Sequence, residues 1–182
     1  TALVSYTVEA QQDSIDSLKA IAADERNPIE QIKALYAWDN LIYLSDPKLD
    51  QELNLKIAQL AESELMKASS HTQEEIDFLF DNLTNAYNVL GINSDDAGDY
   101  AKALDYYYKA IWISERIGDR EKVSSIQNNI GLIHEKMHDY DLAMKFYRKS
   151  LYGERQANNL SGQVNALNNI GSVYLSLNEY DS

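Results

Sequence analysis

The chain has 182 residues, 45% of them apolar, with two prolines, seven glycines and no cysteine, a composition that suits an ordered all-helical protein and excludes disulfides and thiolate metal sites. Its 29 acidic and 16 basic residues give a net charge of -13, which argues against nucleic acid or an anionic membrane as partner and favours a neutral or basic protein or peptide. No apolar run reaches the roughly 18 residues that a membrane-spanning helix needs.

Residues 1–10, TALVSYTVEA, carry no charge before Glu9. Residues 1–12 read either as an N-terminal arm or as the remnant of a secretory signal, with Val8-Glu9-Ala10 as its cleavage site. From Asp13 a helical stripe begins with Ile15, Leu18, Ile21 and Ala22. Asn27-Pro28 ends it and starts a second helix, with Ile29, Ile32, Leu35, Tyr36, Ala37, Leu41 and Ile42 facing inward. Ser45-Asp46-Pro47 repeats the stop and restart, and Leu49, Leu53, Ile57, Leu60 and Leu65 carry a third helix. Residues 13–71 thus hold degenerate helices and a capping repeat. The link Ser69-Ser70-His71-Thr72 is rich in capping residues, and His71 is expected in solvent.

From residue 72 the chain becomes self-similar. Gly91, Gly131 and Gly171 are 40 residues apart, as are Tyr100, Tyr140 and Tyr180; Ala103 is matched by Ala143 and Tyr107 by Tyr147. The string NNIG occurs at 128–131 and again at 168–171. A fixed period of this size means stacked supersecondary units. Val123, Ile126, Ile130, Ile133 and Met137 recur at steps of three and four, and Leu142, Ala143, Phe146, Tyr147, Ser150 and Leu151 follow after a break at His138-Asp139. Each unit is therefore two antiparallel helices, with turns near Gly98, Gly118, His138 and Asn158. Gly131 should admit a neighbouring helix closely, and Tyr107, Tyr108 and Tyr147 should fill the core.

The order small residue, Asp-Tyr, Ala, aromatic, small resembles the tetratricopeptide repeat. Gly91…Asp99-Tyr100…Ala103…Tyr107…Ala110 and Gly131…Asp139-Tyr140…Ala143…Tyr147…Ser150 follow it, and Gly171…Glu179-Tyr180 begins a third copy whose second helix starts at Glu179-Tyr180. Two departures stand out: the period is 40 rather than 34, and Glu115 and Arg155 replace the usual closing proline. Longer helices account for both, a form similar to repeats of kinesin light chains and bacterial signalling proteins. The resemblance implies an all-α, right-handed superhelical solenoid over residues 72–182, its last repeat truncated, with first helices lining a concave groove. It also implies the interaction or sensor region of a larger signal-transduction protein, extracytoplasmic (periplasmic) or alternatively cytoplasmic, working without a cofactor.

Three asparagine columns carry the functional signal: Asn85, Ser125 and Asn165; Asn88, Asn128 and Asn168; and Asn129 with Asn169, where Val89 breaks the pattern. Spaced three and four apart on the first helices, they share a face. An amide is both donor and acceptor, so such a column can hold an extended peptide backbone without reading side chains. The bland alternative is that they bond between adjacent helices. His134-Glu135-Lys136-Met137-His138 matches the zinc-hydrolase pattern H-E-x-x-H. The repeat places His134 where Ser94 and Tyr174 stand and His138 in the turn, so neither metal nor catalysis is expected. Asp95, Asp96 and Asp99 read as cap and surface residues. The last first helix shows an apolar face with nothing after it to cover it. That predicts a piece of a longer protein, or self-association through that helix in a scaffold that binds no peptide.

Overall fold

The computed structural model describes residues 2–42 and 45–180, with side chains from Gln12 to Leu177. It is all-α: eight helices in antiparallel pairs form a solenoid-like repeat, with one turn of 3-10 helix at Ala68–Ser70 and no strand among the described residues. Two compact units divide the chain, residues 1–86 and 87–182.

In the first unit, α1 (Ala2–Ala22), α2 (Pro28–Ile42) and α3 (Pro47–Leu65) lead into α4 (Gln73–Asp96). The helix expected from Asp13 starts instead at Ala2. Thr1 and the side chains through Gln11 lie outside the described residues, and the reading of 1–12 as arm or signal remnant lies there with them. The restarts follow the local chemistry. Asn27 Oδ1 accepts the N–H of Glu30 ahead of Pro28, and Asp46 Oδ1 accepts that of Leu49 ahead of Pro47. Ile32 and Leu35 of α2 and Leu53 and Ile57 of α3 are buried, whereas Tyr36 and Leu41 stay exposed on the edge of the stripe. Thr72 and Glu75 form a reciprocal capping box at the start of α4. His71 is not in solvent: its ring is held by Glu64 Oε2 at 3.1 Å, and Glu75 lies 3.5 Å away. Two glutamates flanking a short link make a socket that a residue-by-residue reading of the link does not reveal.

Between α2 and α3 sits a buried polar cluster. Asn54 Nδ2 donates to Asp39 Oδ2 at 3.0 Å and to the Asp50 carbonyl at 2.9 Å. Burial pushes the Asp39 carboxyl up to about 7; the bond from Asn54 opposes the shift and the neighbouring Asp50 adds to it.

The second unit comprises the end of α4 with α5 (Tyr100–Ile117), α6 (Arg120–Lys136), α7 (Tyr140–Gln156) and α8 (Leu160–Tyr180). Its four turns share one design. Gly98, Gly118, His138 and Asn158 are left-handed, with φ of 76°, 75°, 60° and 54°. The next residue, Asp99, Asp119, Asp139 or Asn159, donates its N–H back five residues, to the carbonyl of Ser94, Ser114, His134 or Glu154. Its side chain then caps the following helix by accepting from Lys102, Lys122, Leu142 or Gly162. One residue closes a helix and opens the next, which fixes the hairpin. Two of these turns lack glycine. His138→Gly is expected to raise stability by about 0.5–1 kcal/mol, since glycine is at ease at positive φ, and Asp139→Ala to lower it by about 1 kcal/mol. Thermal melts that moved both variants the same way would contradict this assignment.

Glycine has a packing reason at Gly91 and Gly131. A Cβ there would meet the rings of Tyr107 and Tyr147 at 2.5 and 2.6 Å. Both tyrosines are fully buried, and burial raises their phenols well above the ordinary range. Tyr108 departs from expectation: it points outward and is 48% exposed. The buried face of α5 is set by Ala103, Tyr107, Ala110, Ile113 and Ser114, and Tyr108, 100° on from Tyr107, falls outside it. Met137 is likewise exposed, because the helix ends before it. No turn precedes Glu179-Tyr180, where the repeat predicts the start of a second helix: α8 runs unbroken through Tyr180. Among the described residues nothing lies within 4 Å of the position that a Cβ on Gly171 would take.

Candidate functional site

The asparagine columns of the second unit lie on the end of α4, α6 and α8, its first helices. Asn129 Nδ2 donates to Asn88 Oδ1 at 3.2 Å, and Asn169 Nδ2 donates to Asn128 Oδ1 at 2.9 Å. The same bond recurs one repeat later, each time between neighbouring first helices. Among the described residues, it leaves Nδ2 of Asn88 and Asn128 and Oδ1 of Asn129 and Asn169 uncommitted. Each pair therefore still presents a donor and an acceptor, held in a common orientation. Ser125, Asn165 and Asn168 are exposed, while the bonded asparagines are half-buried. Asn85 belongs to the first unit, where it donates to Asp81 one turn back at 3.3 Å.

Beside these bonds the first helices are tied by two acidic residues, Asp95, which the sequence reads as a cap or surface residue, and Glu135 of the H-E-x-x-H match. Glu135 accepts from Tyr147 Oη and from Ser172 Oγ, both at 2.6 Å, and so joins α6 to α7 and α8. Asp95 pairs with Lys136 at 2.6 Å, joining α4 to α6. Glu135 of the H-E-x-x-H match is thus engaged in packing. His134 is buried against the Phe146 ring, stacked at 5.6 Å, and His138 lies past the end of α6, in contact with Tyr140. The two imidazoles share no helical face, and among the described residues no three His, Cys, Asp or Glu side chains converge as metal ligands.

A small pocket of ≈ 190 Å³ opens beside the columns, lined by Ser125 and Asn128 of α6, Glu154 of α7 and Asn165 of α8, among others. Glu154 is 3% exposed, and its Oε2 has no partner. Burial pushes its carboxyl up; a hydrogen bond from Asn159 opposes this and the charge of Glu121 adds to it. A signal for Glu154 existed in the repeat: Ser114 holds this position 40 residues earlier, so the two copies differ there. A larger groove of ≈ 850 Å³ opens elsewhere, among the end of α5, α6 and α7, with Arg120, Arg148, Lys149 and Tyr152 on its walls. None of the asparagines lines it.

Residues 82–152 match the model of the tetratricopeptide repeat family. The fold is that of a tetratricopeptide-like helical repeat. Among solved structures, BtubC (BKLC) from P. vanneervenii superposes on it with a TM-score of 0.62 at 22% identity, covering 97% of this chain and 67% of that one. The apo form of RapI gives a TM-score of 0.76 at 13% identity, covering 97% and 46%. A Rap protein complexed with Competence and Sporulation Factor gives 0.68 at 14%, covering 98% and 48%. This chain spans about two thirds of the length of BtubC and about half that of the two Rap chains. At these identities the tetratricopeptide-like fold is what is shared. No curated protein matches the sequence. No described helix is long and apolar enough to cross a membrane.

Proposed function

We propose that the second unit binds an extended, neutral or basic peptide along its first helices, through the amides of Asn88, Asn128, Asn129, Asn168 and Asn169. The observation that carries this is the repeated inter-helix amide bond. It satisfies one donor and one acceptor per pair and leaves the same two groups free at each repeat. An extended peptide also offers one donor and one acceptor per residue. The chain is then the interaction region of a signal-transduction protein, of the 40-residue repeat type resembling kinesin light chains. The likeness to a Rap protein complexed with a factor supports that reading at the level of fold.

Asn168 separates binding from packing, because it is exposed and takes no part in an inter-helix bond. With a peptide selected from a random library on the immobilised chain, Asn168→Ala should weaken binding several-fold and leave the melting midpoint within about a degree, as one hydrogen bond contributes about 0.5–1.5 kcal/mol. Asn169→Ala removes a packing bond too and should lower both. Unchanged affinity in both variants would place the contact elsewhere.

A second reading has its own observation. On α8 the residues Val164, Leu167, Tyr174 and Leu175 are exposed, a stripe that suits self-association of a scaffold. Sedimentation across a concentration range distinguishes it, since a peptide-binding monomer shows no change of mass.

A further inference from the structure

The pocket beside the asparagine columns is not a copy of anything in the preceding repeat. Where it has Glu154 and Gly162, that repeat has Ser114 and Lys122. The two changes belong together: a Cβ on residue 162 would run into the Glu154 carboxylate, so glycine makes the room that the acid needs. The result is a carboxylate 97% buried, with Oε2 lacking any partner, in a pocket that Glu121, Ser125, Asn128 and Asn165 also line. Every lining side chain is acidic or neutral and polar, and none is basic. An unpaired oxygen on a buried acid is costly and calls for a partner from outside the chain.

We propose that this pocket receives a protonated primary amine of the bound peptide, supplied by a lysine side chain or by the peptide's own N-terminus; the inference rests on the peptide-binding reading above. An ammonium has three N–H donors and no acceptor. Glu154 takes one, Glu121 supplies a second negative charge at the rim, and the side-chain oxygens of Ser125 and Asn165, which also line the pocket, can accept the rest. The cation also relieves the repulsion between the two glutamates. A volume of ≈ 190 Å³ holds an ammonium with a short alkyl stem and little more. A divalent metal would need several converging carboxylates or imidazoles, and the described residues hold no such group. Asn128 belongs both to the pocket and to the amide column, so an amine seated here anchors one end of a peptide laid along the column. The net charge of -13 favours the approach of such a ligand.

The test is an amide-shift titration of the isotope-labelled full chain at neutral pH with N-acetyl-lysine methylamide, with glycine amide, and with N-acetyl-norleucine methylamide as the uncharged control. One or both amines are expected to move the Gly162 and Asn165 resonances saturably, and the control to leave them still. Lysine alone or glycine amide alone identifies which amine is read. Glu154→Gln should weaken the effect about tenfold or more, as expected for a lost charge-assisted bond. Glu121→Gln, at an exposed position, should keep the fold and weaken binding to a smaller extent. Silence toward both amines, or equal response in Glu154→Gln, overturns the proposal. If selected peptides with blocked amines still perturb the asparagine side chains, only the amine site falls. If those too are silent, the peptide reading falls with it.

Discussion

Gly131→Ala is expected to destabilise the second unit by about 2–3 kcal/mol, while the same substitution at Gly171 is expected to stabilise it by about 0.5–1 kcal/mol. The two glycines hold the same place in successive repeats. Their surroundings differ. At Gly131 the added methyl would lie 2.6 Å from the Tyr147 ring, far inside contact distance. Tyr147 cannot move aside, because it is fully buried and its hydroxyl is fixed on Glu135 at 2.6 Å. At Gly171 nothing lies within 4 Å, so alanine brings only its better helix propensity. Thermal or denaturant unfolding of the two variants checks the pair. A similar loss at both sites would mean that the α8 face is covered in solution.

Asp39→Asn should stabilise the first unit at pH 8 by roughly 2–4 kcal/mol, the second large effect. The Asp39 carboxyl is buried beside Asp50 and its pKa is raised from 3.8 to about 7. In the unfolded chain it is ionised above about pH 4, so between pH 4 and 7 the folded state holds a proton that the unfolded state lacks. Stability therefore falls as pH rises through that window and levels off above it. Asparagine keeps the shape and can still accept from Asn54, but carries no charge to bury. The variant should lose the slope as well as gain stability at high pH. A wild-type midpoint that rises from pH 5 to pH 8 would show that Asp39 is ionised and stabilising in the fold.

The repeat made much of the second unit legible. All four turns lie where the 40-residue comparison puts them, and Gly131 packs on its tyrosine as its size suggests. What escaped is what periodicity averages away. Glu154 and Gly162 matter because they break the pattern, and a reading that looks for sameness passes over them. Tyr108 and Met137 show the limit of the apolar stripe, since hydrophobic character alone does not set the angle of a side chain around its helix. In the first unit no copy exists for comparison. The Asp39, Asp50 and Asn54 cluster joins two helices through residues 15 and 4 positions apart, and each of the three looks like a surface residue in isolation. His71 was misplaced for the same reason, as Glu64 comes from the preceding helix. The asparagines do bond between adjacent helices, as the plainer of the two readings had it. Bonds between helices use half of each pair's groups and leave the other half presented in register.

The side-chain amide resonances of the asparagines give the most direct test of peptide binding on the first helices. With a selected, N-terminally blocked peptide titrated into the labelled chain, the Nδ2 signals of Asn88, Asn128 and Asn168 should shift together and saturate. The Asn128→Ala, Asn168→Ala double variant should then bind about tenfold more weakly or worse. Saturable shifts confined to the groove of Arg148 and Tyr152, with the asparagine amides unmoved, would contradict that placement.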